Sequence, residues 1–431
     1  MPETAGPSSI AVRMYNVGFG DCFLLTFRYA APGKDAERHM LVDFGSSAAP
    51  RYGPKDYMQR VAEDIARQTK GKLHVLAATH RHRDHINGFA TDGGHGKIVA
   101  ALHPDHVILP WTEDPDAAPD ARSAAAPSYT AGKATSAQLK SRFLGALEDI
   151  HGIAGAAARL AANPEFAGRD TLAQLRFLGE ENLKNRSAVE NLMRMGQSGK
   201  AHYVNAGMTL NTLLPGVKIT VLGPPTLEQS NAIRTERARD PHEFWQFCNF
   251  WASRRRALKT VSAASKHAAE PPPGVRWFIQ QARRVQADLT LELVRELDTV
   301  LNNTSLILLL EAGSRKLLFP GDAQIENWAF ALRNPEWRRL LADVNLYKVG
   351  HHGSLNATPK SLWHLFQHKG DEHQPQRLAT ICSTRSGKHG SAKSGTEVPR
   401  RVLVEELRSR SAFASTEEFK AELSKTFEIE I

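Results

Sequence analysis

Two mostly apolar runs, Met14-Tyr15-Asn16-Val17 and Cys22-Phe23-Leu24-Leu25, flank Gly18-Phe19-Gly20-Asp21, which predicts two strands around a tight turn within Ala11–Phe27. Met40-Leu41-Val42-Asp43 reads as another short strand, ended by Gly45. From Asp56 to Lys70 the period lengthens: Tyr57, Met58, Val61 and Ile65 recur at helical spacing. That helix leads into the strand Leu73–Ala78, and Val107–Pro110 is the next strand. Between Asp114 and Lys200 the chain turns Ala-rich, with helical spacing in Ala137–Ile153 and Leu172–Arg194 and no clear strand. Strand character returns at Met208–Leu213 and Val217–Leu222, then gives way to a helical, basic block from about Leu227 to Asn302. Ser305–Leu310, Lys316–Phe319, Asn345–Val349 and Ala379–Ser383 read as short strands, and Leu362–Phe366 and Pro399–Arg408 as helices. Thr426–Ile431 alternates apolar and polar residues as an edge strand would. Strand-rich segments therefore bracket two helical blocks, which predicts one α/β domain over residues 1–431 with helical insertions at about 114–200 and 227–301. No internal repeat is visible.

Composition narrows the class more than the function. A chain of 431 residues with 41% hydrophobic content can build a substantial core, which excludes a disordered protein. The net charge of +9 suits a polyanionic ligand such as nucleic acid, but equally serves solubility, since the excess is spread along the chain. The three cysteines, Cys22, Cys248 and Cys382, are far apart and form no Cys-x-x-Cys pattern, which points to a reduced protein rather than a disulfide framework. Met1–Ile10 lacks a signal-peptide pattern and no run reaches the ~18–20 apolar residues of a membrane span. The expected setting is cytoplasmic, without membrane association.

The candidate chemistry begins at Thr79-His80-Arg81-His82-Arg83-Asp84-His85, where three imidazoles and one carboxylate follow a strand directly. His80 and His82 fall on one side of an extended segment, and Asp84 and His85 follow as the chain turns. Imidazole and carboxylate together suit zinc, manganese or iron. Two later strands end similarly: Leu317-Leu318-Phe319-Pro320-Gly321-Asp322 in a carboxylate, and Leu346-Tyr347-Lys348-Val349-Gly350-His351-His352-Gly353-Ser354 in two histidines between glycines. Taken singly, Asp322 is as ordinary as a capping residue; taken together, three ligand clusters at strand ends point to one metal site.

The order Asp43, His80-x-His82-x-Asp84-His85, Gly321-Asp322, His351 resembles the metallo-β-lactamase superfamily. Within it, Asn16–Asp21, Asn302-Asn303-Thr304-Ser305-Leu306, Gly321-Asp322 and Lys348–Ser354 are similar to the hydrolase domain of the ComEC-type competence proteins. The likeness covers residues 11–112, 203–226 and 301–431, and leaves out both helical blocks. It implies a four-layer αββα sandwich with a metal site at one edge. His80 and His82 would hold a first metal, Asp84 and His85 a second, Asp322 would bridge them and His351 would complete the second site. His352 would then contact substrate or donate a proton, Asp84 would also orient the attacking water, and Asp43 would brace the loop by hydrogen bonds. Where the superfamily has a further histidine this chain has Asn302 or Asn303, as the competence branch does, which favours harder metals; His202 is a distant substitute. The implied cofactor is one or two Zn2+ ions, with Mn2+ as the alternative.

The resemblance implies a metal-dependent hydrolase, most simply a phosphodiesterase or nuclease, with Lys348, Ser354 and His389 as anion contacts. A thioester, lactone or amide hydrolase is the alternative, because one fold serves many chemistries. A third reading is a non-catalytic protein whose helical blocks bind a protein partner.

Overall fold

The computed structural model describes residues 6–30, 33, 36–115, 122–123, 186–230, 232, 302–374, 376–390, 392 and 395–431. Fourteen strands form two mixed sheets of seven. The first sheet contains β1 (Ser9–Tyr15), β2 (Cys22–Arg28), β3 (Glu37–Phe44), β4 (Val75–Ala77), β5 (His106–Pro110), β6 (Lys200–Val204) and β14 (Ser424–Glu430), in the order β14-β1-β2-β3-β4-β5-β6. The second contains β7 (Thr209–Leu214), β8 (Val217–Gly223), β9 (Ile307–Ala312), β10 (Arg315–Phe319), β11 (Leu346–Lys348), β12 (Ala379–Cys382) and β13 (Ala412–Ser415), in the order β13-β12-β11-β10-β9-β8-β7. Each sheet pairs its first four strands antiparallel and its last four parallel, counted from β14 and from β7. The two halves thus share a topology although their sequences show no repeat.

Period-two patterning explains how the sheets stack. Ile10, Val12 and Met14 of β1, Phe23, Leu25 and Phe27 of β2, and Met40 and Val42 of β3 bury one face against Leu308 and Leu310 of β9 and Leu317 and Phe319 of β10. The opposite faces carry helices. Leu24, Leu41, Leu76 and Val107 pack against Val61 and Ile65 of α1 (Tyr57–Gln68) and Leu192 of the helix Arg186–Ser198. On the other sheet Leu309, Leu318 and Tyr347 meet Trp328, Leu341, Trp363 and Leu403. The molecule is therefore an α/β sandwich: helices, sheet, sheet, helices. On the α1 side, buried Asp64 accepts from Arg13 Nε (2.9 Å) and Tyr15 Oη (2.9 Å) and pairs with Arg67, tying α1 to β1. No helix among the described residues is long and apolar enough to cross a membrane.

Several elements escape the sequence pattern. β6 lies at the end of the block read as helical, and β13 is only four residues long, too short for periodicity to register. The helices Ile325–Ala331 and Pro335–Ala342 were not expected, although the second carries a legible start: the Asn334 side chain accepts from Glu336 N and Trp337 N, with Pro335 in the first turn. Most of both predicted insertions lies outside the described residues; of them, Arg186–Ser198 is helical. Thr426–Ile431 overlaps β14, which among the described residues pairs with β1 alone at the sheet edge and points Lys425, Glu428 and other charges outward.

One cross-strand pair gives the fold a pH dependence. His39 on β3 and His74 just before β4 are both buried, and His39 N donates to His74 Nδ1 at 3.0 Å. Burial pushes both imidazoles down to about 4. Between about 4 and the ordinary 6.5 the unfolded chain binds protons the folded one does not, so their contribution is complete above about 6.5 and is lost as pH falls toward 4. The urea midpoint is expected to fall from about pH 7 to about pH 4.5, and to fall less in His74→Asn, whose amide oxygen can still accept from His39 N.

Candidate metal centre

The ligand-type residues gather because parallel strands from both sheets end at one place. β3 pairs parallel with β4 in the first sheet, and β11 pairs parallel with β10 and β12 in the second, so all five release loops from carboxyl ends that point the same way within each sheet. Crevices outside such ends are where open α/β sheets bind ligands. Leu306 N donates to Thr79 O at 2.9 Å and Asp21 N to Asp84 O at 2.9 Å, so the loops are stitched together across the sheets. Close approach needs glycine at two points. A Cβ on Gly45 would lie 2.4 Å from His85 N, and one on Gly321, at φ +54°, would lie 2.8 Å from the Thr79 side chain.

Asp84, His85, Asp322 and His352 are all buried, and one donor atom from each lies within 4.8 Å of all the others. His352 Nε2 is 3.0 Å from Asp84 Oδ2 and 3.6 Å from Asp322 Oδ2. His85 Nε2 is 3.1 Å from Asp322 Oδ2 and 4.0 Å from Asp84 Oδ1. His85 Nε2 and Asp322 Oδ1 are buried with no hydrogen-bond partner, so the 3.1 Å approach lacks hydrogen-bond alignment. Two imidazoles and two carboxylates with orphaned donor atoms converging on one point fit a divalent cation, which can be ligated by both atom types at once. His80 and His82 stand beside this group: His80 Nε2 is 3.0 Å from His82 Nδ1, and the His80 and His85 rings are 4.1 Å apart.

The surrounding groups fix ring orientation and charge. Asp43 accepts from Thr79 N (2.7 Å), Thr79 Oγ1 (2.7 Å) and His85 Nδ1 (2.8 Å), which turns His85 Nε2 toward the cluster. His352 is aimed likewise, its Nδ1 donating to Ser383 O at 2.9 Å. Lys348, buried, pairs with Asp21, donates to Gly321 O (3.2 Å) and stands 3.7 Å from Asp322 Oδ1. Burial alone would neutralise these groups. For Asp84 and Asp322 it is outweighed by His85 and His352, which hold both carboxyls well below the usual range. For His85 and His352 it is outweighed by the carboxylates, led by Asp322, which raise both imidazoles. His80 and His82 are lowered, chiefly by burial, His82 to about 4, which favours the neutral imidazole, the form that ligates a metal. Asp43, His351 and His352 all have left-handed backbones (φ 56°, 41° and 52°), strain that clusters at functional sites.

The sequence-derived residues thus meet, with shifts in rank. His352 stands inside the four-residue group, whereas His351, expected as the ligand, keeps to the rim with Nε2 3.8 Å from Asp322 Oδ2 and Nδ1 without a hydrogen-bond partner. The cause is the chain reversal after β11: with both histidines left-handed, the second one turns inward. Lys348, expected to contact substrate, is buried and its ammonium is taken up by Asp21 and Gly321. Ser354 is also buried, bonded to Asn356 at 3.3 Å. His389 remains beside the site, its ring 6.4 Å from Phe19, which packs on His352 at 4.4 Å. Asn302 is buried with an unpartnered Oδ1, in the turn that precedes the Leu306–Thr79 hydrogen bond. His202 pairs with His106 at 3.1 Å on adjacent strands, an ordinary structural role. The sequence reading missed Asp21, whose Oδ2 is 3.7 Å from His85 Nδ1 and whose Oδ1 is 3.6 Å from His352 Nδ1. Its signal was present: a Gly-Asp after a strand, as at Gly321-Asp322.

Because Asp43 orients His85, Asp43→Asn is expected to weaken Zn2+ binding about 10–100-fold in a chelator-competition titration, while the thermal midpoint moves far less. No protein-family model matches this chain and no curated protein matches it significantly, so the geometry of this centre stands without support from kinship.

Proposed function

We propose that the chain is a metal-dependent hydrolase of the metallo-β-lactamase type, acting on phosphodiesters. The observation that carries this reading is the convergence of Asp84, His85, Asp322 and His352, with His80 and His82 alongside, at the joined carboxyl ends of two mixed sheets. Paired sheets faced by helices on both sides are compatible with the αββα sandwich that the motif order implies. In this reading His80 and His82 would hold one ion and Asp84, His85 and His352 a second, with Asp322 and the unpartnered Asn302 Oδ1 as further oxygen donors. Zn2+ suits the imidazoles and Mn2+ the oxygens. Such ions lower the pKa of bound water and offset the negative charge that grows on a cleaved ester.

The protein's own groups then take distinct parts. Asp84, with Oδ2 toward His352, orients the attacking water with Oδ1. His351, at the rim with an unpartnered Nδ1 and a side chain 19% exposed, takes the substrate-facing part that the family resemblance implied for His352, and is placed to protonate the leaving oxygen. Lys348 acts from behind, holding Asp322 and Asp21 in place rather than touching substrate. His389 lines the approach.

A second reading has one observation in its favour. A largely apolar cleft of about 320 Å³ borders His80, lined by Ile86, Leu109, Val189, Leu192 and Met193. Such a surface suits the acyl chain of a thioester or lactone better than a phosphate.

Purified protein reconstituted with Zn2+ or Mn2+ is expected to hold one to two ions per chain and to hydrolyse bis-p-nitrophenyl phosphate and single-stranded DNA. Asp84→Ala and His352→Ala should each lower that rate by at least about 100-fold, whereas His351→Ala should lower it with metal content kept. Failure to retain any metal after reconstitution sinks the hydrolase; turnover of thioesters or lactones alone transfers the site to the second reading.

A further inference from the structure

A second cleft, polar and about 370 Å³, opens beside the metal centre, between the loop after β1, the segment Pro50–Tyr52, the loop after β12 and the turn around Lys420. Its floor adjoins the centre along two segments. Thr384 follows Ser383, whose carbonyl holds His352, and Gly18 precedes Phe19, whose ring packs on His352 at 4.4 Å. Consecutive Cα atoms are about 3.8 Å apart, so the cleft and the centre are neighbours.

The cleft's chemistry is one-sided. Arg51, Arg385 and Lys420 line it, and Arg83, from within the histidine motif, adds its charge to that of Arg385 in the field at Tyr57. Among the described residues, the Arg51, Arg83 and Lys420 side chains have neither an ion-pair nor a hydrogen-bond partner. The one acid lining the cleft, Glu417, already accepts from Ser386 N (2.7 Å) and Oγ (2.9 Å). Arg385 uses one amino group on Ala49 O. Tyr52 stands at the mouth 59% exposed, one of two large hydrophobic residues exposed among those described. Thr384, 2% exposed, keeps a buried Oγ1 with no partner. Unpaired cations around an exposed aromatic ring are the recognition chemistry of a flexible phosphate chain carrying planar bases: cations track phosphates and the ring stacks on a base.

We infer that this cleft is a subsite for single-stranded nucleic acid, in which Tyr52 stacks on a base and Arg51, Arg385 and Lys420 hold phosphates next to the one at the metal centre. It deepens the phosphodiesterase reading and rests on it for what happens to the strand, though binding can be read without turnover. An extended strand, rather than a duplex, is the form that frees a base for Tyr52.

The test uses the full chain and fluorescein-labelled oligothymidylate and oligouridylate, read by anisotropy across a salt series. Tyr52→Ala is expected to weaken binding about 5- to 100-fold. Arg51→Gln with Lys420→Gln should lower the slope of log affinity against log salt by about 1.4, or about 0.7 for each phosphate no longer neutralised. All three positions are exposed, so the variants should keep the wild-type thermal midpoint. The subsite is overturned if the wild-type chain binds neither oligonucleotide, if both variants bind with unchanged affinity and slope, or if duplex of equal length binds as tightly. Binding that follows the expected pattern without hydrolysis supports the cleft and overturns the phosphodiesterase reading instead.

Discussion

Four carboxylates, Asp21, Asp43, Asp84 and Asp322, are buried around His85, and among the described residues one lysine, Lys348, stands with them as a permanently charged cation. Uncompensated, such a group is among the most expensive things a protein interior can hold. The surrounding structure answers that constraint. Lys348 neutralises Asp21, Thr79 gives Asp43 two hydrogen bonds, and Asp322 and its neighbouring carboxylates raise the pKa of His85 and His352 against the cost of burial. Positive charge is still short once the imidazoles are neutral, as ligation demands. The donor atoms of Asp84, His85, Asp322 and His352 converge closely enough that the group could hold a metal ion.

The fold supplies the means of convergence. No single loop carries the cluster; it is assembled from segments that leave the ends of β3, β4, β10 and β11 and the turn after β1. Two parallel stretches, one per sheet, aim their carboxyl ends at the same crevice. The left-handed residues Asp43, His351 and His352 show that the loops are bent to suit the site rather than their own preferences. The inter-sheet core holds them there, with Phe319 and Leu346 packing directly beneath the loops that bear Asp322 and His352.

Around the centre the surface divides chemically. On the His80 side lies apolar lining from Leu109 and the helix Arg186–Ser198; behind His352, through Phe19 and Ser383, lies the cationic cleft with Tyr52. A substrate with both an anionic chain and flat aromatic groups matches the second, and an acyl chain the first. The two clefts frame the choice between phosphodiester and acyl chemistry in terms of which side a substrate occupies.

The sequence alone determined the strands whose apolar runs are long enough to show their period, the helix Tyr57–Gln68 and the edge strand at the C-terminus, and it pointed to Asp84, His85 and Asp322, because imidazoles and carboxylates grouped at strand ends stand out from their apolar surroundings. It left β13 and the short helices after Asp322 unread, since Ala412-Phe413-Ala414-Ser415 has no β-branched run and the two helices show too few turns for their period to register. Tertiary structure alone decided the order of His351 and His352, because adjacent residues are told apart only by the backbone turn they share. It also removed Lys348 from the surface, brought Asp21 into the centre and set Tyr52, Arg51 and Lys420 around one cleft. Those outcomes depend on contacts between segments up to hundreds of residues apart, and local pattern carries no record of which distant side chain will arrive.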